Sequence, residues 1–470
     1  MKTLTNTPTG SVKPRLLIGG SLAIVVLSVF LVGGKSPGEY VAHEWGTFTS
    51  VQGGDGALLD WRPLETSRLP KFVYDWKDPG LNRHGGGLLA LGKGGMVTLQ
   101  RMETPVIYFY ADERQMLDVQ VDFPQGQITE WYPQASKIGP SSVPVPPAIA
   151  RMDDYAHKAG VKPSFTFASL LRNKSVPESR ARWANVEILP AKSHPDLTRS
   201  LPLDGSGSHY FSARDTGADY LRLDSLVATN PLPEYEKFIF YRGVGNFATP
   251  LRVTMNESKT ATLANTGQEP LFDLFVLGLE NRAGSFHHLA RLASGEERTV
   301  ALEAKEGVLP LEKVSRQLGK HLAEALVRQG LYQREATAMV NTWKDSWFEE
   351  DGLRVLYVLP RSWTDRTLPL TLDPAPRQLV RVMVGRAEVL TPAQMHKLSE
   401  TLVKAKQGDA GAREQAVADF KKLGRFAEPA LRLAAKGLDG PAYQNAWTLL
   451  QAAAKPGKED KPLGSGGAGG

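Results

Sequence analysis

The sequence predicts a multidomain, mainly β protein: an antiparallel meander, then an immunoglobulin-like β-sandwich, then a small α+β unit and a helical C-terminal region. Three observations carry that expectation. First, 470 residues exceed what one core organises, since domains cluster near about 100 to 150 residues. Second, short β-branched and aromatic runs bounded by glycine and proline recur about every 8 to 12 residues through the first two thirds of the chain. Third, the hydrophobic period changes to three and four residues at Leu311, and alanine, leucine and lysine dominate after Thr391. Apolar residues at 41% and charged residues at 23% are those of a chain that packs a core.

Residues 1–35 read as a cytoplasmic stub and a transmembrane or signal segment. Leu16 to Gly34 carries no charge over 19 residues, about the length that spans a hydrocarbon core. Lys2, Lys13 and Arg15 precede it and Lys35 follows, so the positive-inside rule puts the amino terminus in the cytoplasm and the rest outside. The expectation is a single-pass protein of the bacterial inner membrane, its C-terminal bulk in the periplasm or exported. Cleavage after a signal peptide at Val32-Gly33-Gly34 is the alternative, although the run exceeds the usual apolar core of about 7 to 15 residues. Cysteine is absent, which removes disulfides, thiolate nucleophiles, cysteine-ligated metals and a lipid-bearing cysteine.

Residues 36–180 read as a β-rich domain. MVTLQ (96–100), PVIYFYAD (105–112), MLDVQVDFP (116–124) and GQITEWYP (126–133) form the expected meander. Val119, Val121 and Phe123 alternate with Asp118, Gln120 and Asp122, the mark of one buried and one wet face. IGPSSVPVPP (138–147) reads as an extended linker, because proline supplies no backbone donor. In residues 181–305, RWANVEILP (182–190), KFIFYRGVGNF (237–247), TPLRVTMNE (249–257), PLFDLFVLGLE (270–280) and ERTVALEA (297–304) are the strands of the expected sandwich. Turns fall at 265–267 and 293–296.

Residues 306–390 read as the α+β unit. Leu311, Val314, Leu318, Leu322 and Leu326 make one amphipathic helix ending at Gly330, and Ala336, Met339, Val340, Trp343 and Trp347 share a face of a second. LRVLYVLP (353–360) and LVRVMVGR (379–386) follow as strands. In the helical region, 391–454, Thr391 is an N-cap with Pro392 at the first helical position. The segment 423–435 has the character of an α-solenoid repeat, and residues 455–470 read as a disordered tail.

The candidate chemistry centres on GEYVAHEWGTFTS. His43-Glu44 fails the zinc signature H-E-x-x-H, which needs a second histidine one helical turn later. Its neighbours favour a strand with His43, Trp45 and Thr47 on one face and Glu44, Gly46 and Phe48 on the other. A metal site would draw on His43, His84, His287 and His288, with Glu44 as general base of a metal-dependent hydrolase acting on the envelope. GLLALGKGG (87–95) places Gly94 where a phosphate-binding loop needs a hydroxyl, so no nucleotide is expected. No G-x-S-x-G elbow occurs, and Asp153-Asp154 and Glu349-Glu350-Asp351 read as solvated turns and a helix end. Trp61, Trp76, Trp131 and Tyr132 are the candidate binding platform, whereas Trp343 and Trp347 read as core. Lysine and arginine number 56 against 50 acids without a basic block, which argues against nucleic acid.

Taken together, HEWGTFTS (43–50), RMETPVIYFY (101–110), ITEWYP (128–133), FYRGVGNF (240–247), MVNTWKDSWFEEDGLRVLYVLP (339–360) and VMVGRAEVLTP (382–392) resemble segments of an uncharacterised family of exported, membrane-anchored bacterial proteins. The resemblance runs over about residues 42–391. It implies a bacterial source and an extracytoplasmic location, and carries over no activity, substrate, cofactor or catalytic residue. The combined reading is a membrane-anchored extracytoplasmic binding or scaffolding protein of the bacterial envelope. Its expected partners are the membrane, through the N-terminal helix, and an envelope protein or glycan; the envelope hydrolase is the alternative.

Overall fold

The computed structural model describes residues 38–62, 69–75, 98–139, 179–205, 207–225, 232–257, 260–302, 307–436 and 438–454. These belong to one compact unit, Pro37–Gly470. Its first half contains β1 (Gly38–Gly53), β2 (Leu58–Leu59), β3 (Tyr74–Asp75), β4 (Gln100–Ala111), β5 (Gln115–Phe123), β6 (Gly126–Tyr132), β7 (Lys137–Gly139), β8 (Ser179–Leu189), β9 (Tyr220–Leu223) and β10 (Glu234–Glu236). Next come β11 (Ile239–Gly245), β12 (Leu251–Met255), β13 (Thr260–Asn265), β14 (Leu271–Glu280), β15 (Ala283–Leu292), β16 (Glu297–Ala301) and β17 (Leu309–Pro310). The remainder is α1 (Leu311–Arg328), α2 (Gln333–Lys344), β18 (Gly352–Val358), α3 (Arg361–Thr367), β19 (Leu370–Asp373), β20 (Pro376–Leu390), α4 (Pro392–Lys406), α5 (Ala410–Leu423), α6 (Ala427–Ala434) and α7 (Gly440–Ala454).

The protein is mainly β with a helical C-terminal region. An 11-stranded sheet runs in the order β17-β15-β14-β18-β20-β1-β4-β11-β6-β3, with β2 paired to β1. A 6-stranded sheet has the order β10-β9-β8-β5-β19 with β7 on β8, and β12-β13-β16 form a 3-stranded sheet. β1 lies at the middle of the large sheet, parallel to β20 and antiparallel to β4. Its two faces feed different cores. Trp45 joins Tyr108, Phe275, Leu318, Trp343 and Val382 under α1 and α2, while Phe48 joins Val119, Trp183, Tyr241 and Leu263 against the smaller sheets. Val51 and Trp61 join a third core with Leu398, Phe420 and Leu431 of the C-terminal helices.

Several expected strands exist but do not assemble as the local pattern suggested. No meander forms, because β4 and β6 enter the large sheet on either side of β11 while β5 joins β8 and β19. The burial patterns show why. β4 is buried on both faces nearly throughout and needs cover on each side, whereas β5 alternates and suits a half-wet sheet. Nor do the strands of 181–305 close into one sandwich: β8 belongs to the 6-stranded sheet, β11 and β14 to the large sheet, and β12, β13 and β16 to the smallest. The large sheet therefore crosses the boundaries expected at 180 and 305.

The membrane-spanning helix and signal anchor, and with them the single-pass inner-membrane location, are corrected. No helix among the described residues is long and apolar enough to cross a membrane. The segment 16–34 on which that expectation rested lies outside the described residues, as do His84, Trp76, the glycine-rich stretch 87–95, Asp153-Asp154 and the tail 455–470.

Candidate functional site

β1 presents alternate residues to opposite faces, and the structure gives its two candidate residues separate partners. His43 is fully buried under α2, its Nδ1 2.7 Å from Glu335 Oε2. Tyr110 donates its hydroxyl to Glu335 Oε1 at 2.6 Å, and the Tyr332 backbone N–H donates to Oε2 at 2.7 Å. The Tyr332 ring lies 4.4 Å from the imidazole. One carboxylate therefore caps α2 and holds β1. Tyrosine at the cap position hid this from sequence reading, which looks for serine, threonine, aspartate or asparagine there.

Glu44 points the other way. It accepts from the Tyr241 hydroxyl and from Arg381 Nε, all three side chains being buried. Arg381 is held further by Asp365, at 2.8 Å, and by the Leu368 carbonyl, at 2.6 Å. The candidate general base is thus the buried acidic half of an ion pair.

The proposed histidine ligands do not converge. His287 and His288 lie on β15, and β14, β18 and β20 separate that strand from β1, a span of about 19 Å at ordinary strand spacing. His288 Nε2 lies 3.0 Å from Asp273 Oδ1, which also accepts from Arg328, and its ring stacks on Phe275. Among the described residues no group of three or more His, Asp or Glu side chains is arranged to hold a metal ion.

Of the four residues of the expected aromatic platform, Trp76 lies outside the described residues and the other three do not face solvent. Trp61, Trp131 and Tyr132 are buried. Trp61 donates to the Leu99 carbonyl at 3.3 Å and packs on Phe426, and Tyr132 packs against Phe72 and Tyr74. β6 is covered on both faces, so alternation leaves none of its aromatic residues outside.

Sequence reading missed a buried charge cluster on the helix-covered face of the large sheet. Arg242 donates to Glu130 at 2.8 Å, and Arg425 donates to Glu103 at 3.1 Å. Arg386 donates to Glu350 and Glu388, each at 2.9 Å, while Arg354 donates to Glu388 at 3.1 Å and to the Trp347 carbonyl at 3.0 Å. Burial opposes ionisation of Glu103, but Arg101, Arg425 and Arg386 outweigh it and hold its carboxyl below the usual range. Glu350, at the half-exposed edge of the cluster, is likewise drawn down to about 2, because Arg386, Arg425 and Arg354 outweigh its partial desolvation. Burial pushes His209 down to about 4, with Glu103 opposing that shift and Arg242 adding to it. The available signal was arginine on strands: Arg101, Arg242, Arg354 and Arg386 all sit in runs that otherwise read as core.

No family model matches the chain, and no curated protein matches it. Among solved structures it is similar to the Fcho1 Mu homology domain of Danio rerio with bound Eps15 peptide. That similarity has 7% identity and TM-score 0.27, covering 76% of this chain and 99% of that one. It is also similar to the yeast delta-COP-I mu-homology domain complexed with a Dsl1 WxWxV peptide, at 8% identity and TM-score 0.24, covering 75% of this chain and 99% of that one. Likeness at this level says nothing of function.

Proposed function

We propose that the protein is a binding or scaffolding protein that holds an acidic segment of a partner protein in the groove between α1 and α2. The observation that carries this reading is the groove itself, about 730 Å³, with Arg316 and Lys320 on one wall and Thr337 and Asn341 on the other. Val314, Leu318 and Leu322 of α1 and Met339 and Trp343 of α2 are spent on the core beneath, so the groove is mixed, its charged and polar side chains lying beside Leu311, Ala323, Val340 and Phe348. Charge selects the occupant. Arg282 pairs with Glu312, Lys320 with Glu324 and Lys344 with Glu349, which leaves Arg316 without an ion-pair partner among the described residues. The engagement of Glu44 by Arg381, and of His43 by Glu335, favours binding over hydrolysis.

The absence of cysteine makes the test clean. A photo-crosslinker is attached at Asn341→Cys in the groove and, as control, at exposed Gln407→Cys on the C-terminal helices. The expected result is one discrete protein adduct at position 341, absent at 407 and lost when Arg316→Glu is added. Equal labelling at both positions, or an adduct indifferent to Arg316→Glu, overturns the reading.

A further inference from the structure

The helix-covered face of the large sheet holds more hydrogen-bonding capacity than the described residues use. Thr49 lies in register between Arg101 on β4 and Arg386 on β20, and Thr47 lies beside Glu103. Six buried side-chain atoms there have no hydrogen-bond partner among the described residues: Thr47 Oγ1, Thr49 Oγ1, Arg101 Nε, Glu103 Oε2, Arg386 Nη1 and Arg425 Nε. Arg101 Nε lies 3.4 Å from a Glu103 oxygen, near enough for charge attraction but not aligned to donate. Since roughly nine in ten buried polar groups are satisfied in folded proteins, six orphans in one place point to a missing complementary group.

Charge identifies that group. Arg101, Arg242, Arg354, Arg386 and Arg425 outnumber Glu103, Glu130, Glu350 and Glu388, and three of the orphan atoms are guanidinium N–H donors. A cation finds excess positive charge here, and a water molecule brings acceptors without the balancing charge. We propose that the cluster is a buried anion site for a phosphate or carboxylate group, with Arg101, Arg386 and Arg425 donating to its oxygens and the Thr47 and Thr49 hydroxyls completing the shell. A pocket of about 200 Å³ adjoins it, reaching Glu350, Glu388 and Arg425 from a rim that carries Lys421 and Lys422. This site goes beyond the helix-groove reading and stands without it.

The experiment uses the purified full chain at low chloride, titrated with inorganic phosphate and, in a parallel arm, with acetate, and read by calorimetry and thermal melting. Saturable binding with a rise in Tm is expected in at least one arm, and the arm that saturates distinguishes phosphate from carboxylate. Thr49→Val keeps the shape and removes one hydroxyl, so it should weaken binding about tenfold. Arg425→Gln should weaken it at least as far; where that variant fails to fold, Thr49→Val decides. Saturation in neither arm, or a Thr49→Val variant that binds as the parent does, overturns the site and leaves the orphan atoms to water.

Discussion

His43 and Glu335, 292 residues apart in sequence, meet at 2.7 Å as a buried pair between the central strand and the first turn of α2. Because Tyr110 and the Tyr332 backbone donate to the same carboxylate, three donors depend on it. Glu335→Ala should therefore cost about 3 kcal/mol, and Tyr110→Phe about 1 kcal/mol. Urea unfolding of the two variants checks this; equal midpoints for Glu335→Ala and the parent would show that the pair contributes nothing to stability.

The Glu44–Arg381 pair offers a different test, since breaking a buried pair costs more than replacing it whole. Glu44→Leu or Arg381→Met alone should destabilise by about 3 to 5 kcal/mol, and the double variant carrying both should recover most of the loss. A double-mutant cycle in denaturant measures the coupling. Additive single effects would mean the two charges do not compensate each other.

Stability should fall with acid in two steps. His209 has its folded pKa depressed from 6.5 to about 4, so the unfolded chain takes up that proton first. Its contribution is complete above 6.5 and is lost as the pH falls toward 4. Glu350 is depressed from 4.5 to about 2, so its contribution is complete above 4.5 and is lost on approach to 2. His209→Phe should flatten the upper step and Glu350→Gln the lower, as read from urea midpoints at about pH 7, 5 and 3. A parent protein as stable at the lowest of these as at neutrality sinks both assignments.

β11 and β6 approach so closely at Gly243 that a Cβ there would lie 2.1 Å from the Gln127 carbonyl oxygen. Backbone cannot step aside as a flexible side chain does, so Gly243→Ala should cost more than about 3 kcal/mol. On β14, a Cβ at Gly278 meets nothing within 4 Å, and Gly278→Ala should be nearly neutral. Thermal melts of the two alanine variants give the comparison, and similar Tm values would contradict the close approach.

Much of the local structure was legible in the residues. The alternation of His43 and Glu44 onto opposite faces, the helix from Leu311 and the capping of α4 by Thr391, which accepts from the Gln394 N–H at 3.2 Å, all match their sequence signals. The site was not legible, because its parts arrive from distant segments: Arg101 on β4, Arg386 on β20 and Arg425 between α5 and α6. An arginine in an apolar run reads as an interruption of the core until the strand beside it is known.

Sequence by itself determined most of the longer strands, the helix from Leu311 and which side chains share a face in them, because a period of two or of three to four is a property of neighbours along the chain. The tertiary structure alone decided which strands pair. β1 runs parallel to β20 and antiparallel to β4, and no local pattern encodes that choice, since it depends on burying both faces of a central strand at once. The same pairing turned an expected metal ligand, His43, and an expected general base, Glu44, into buried partners of Glu335 and Arg381, and it gathered five arginines around four glutamates.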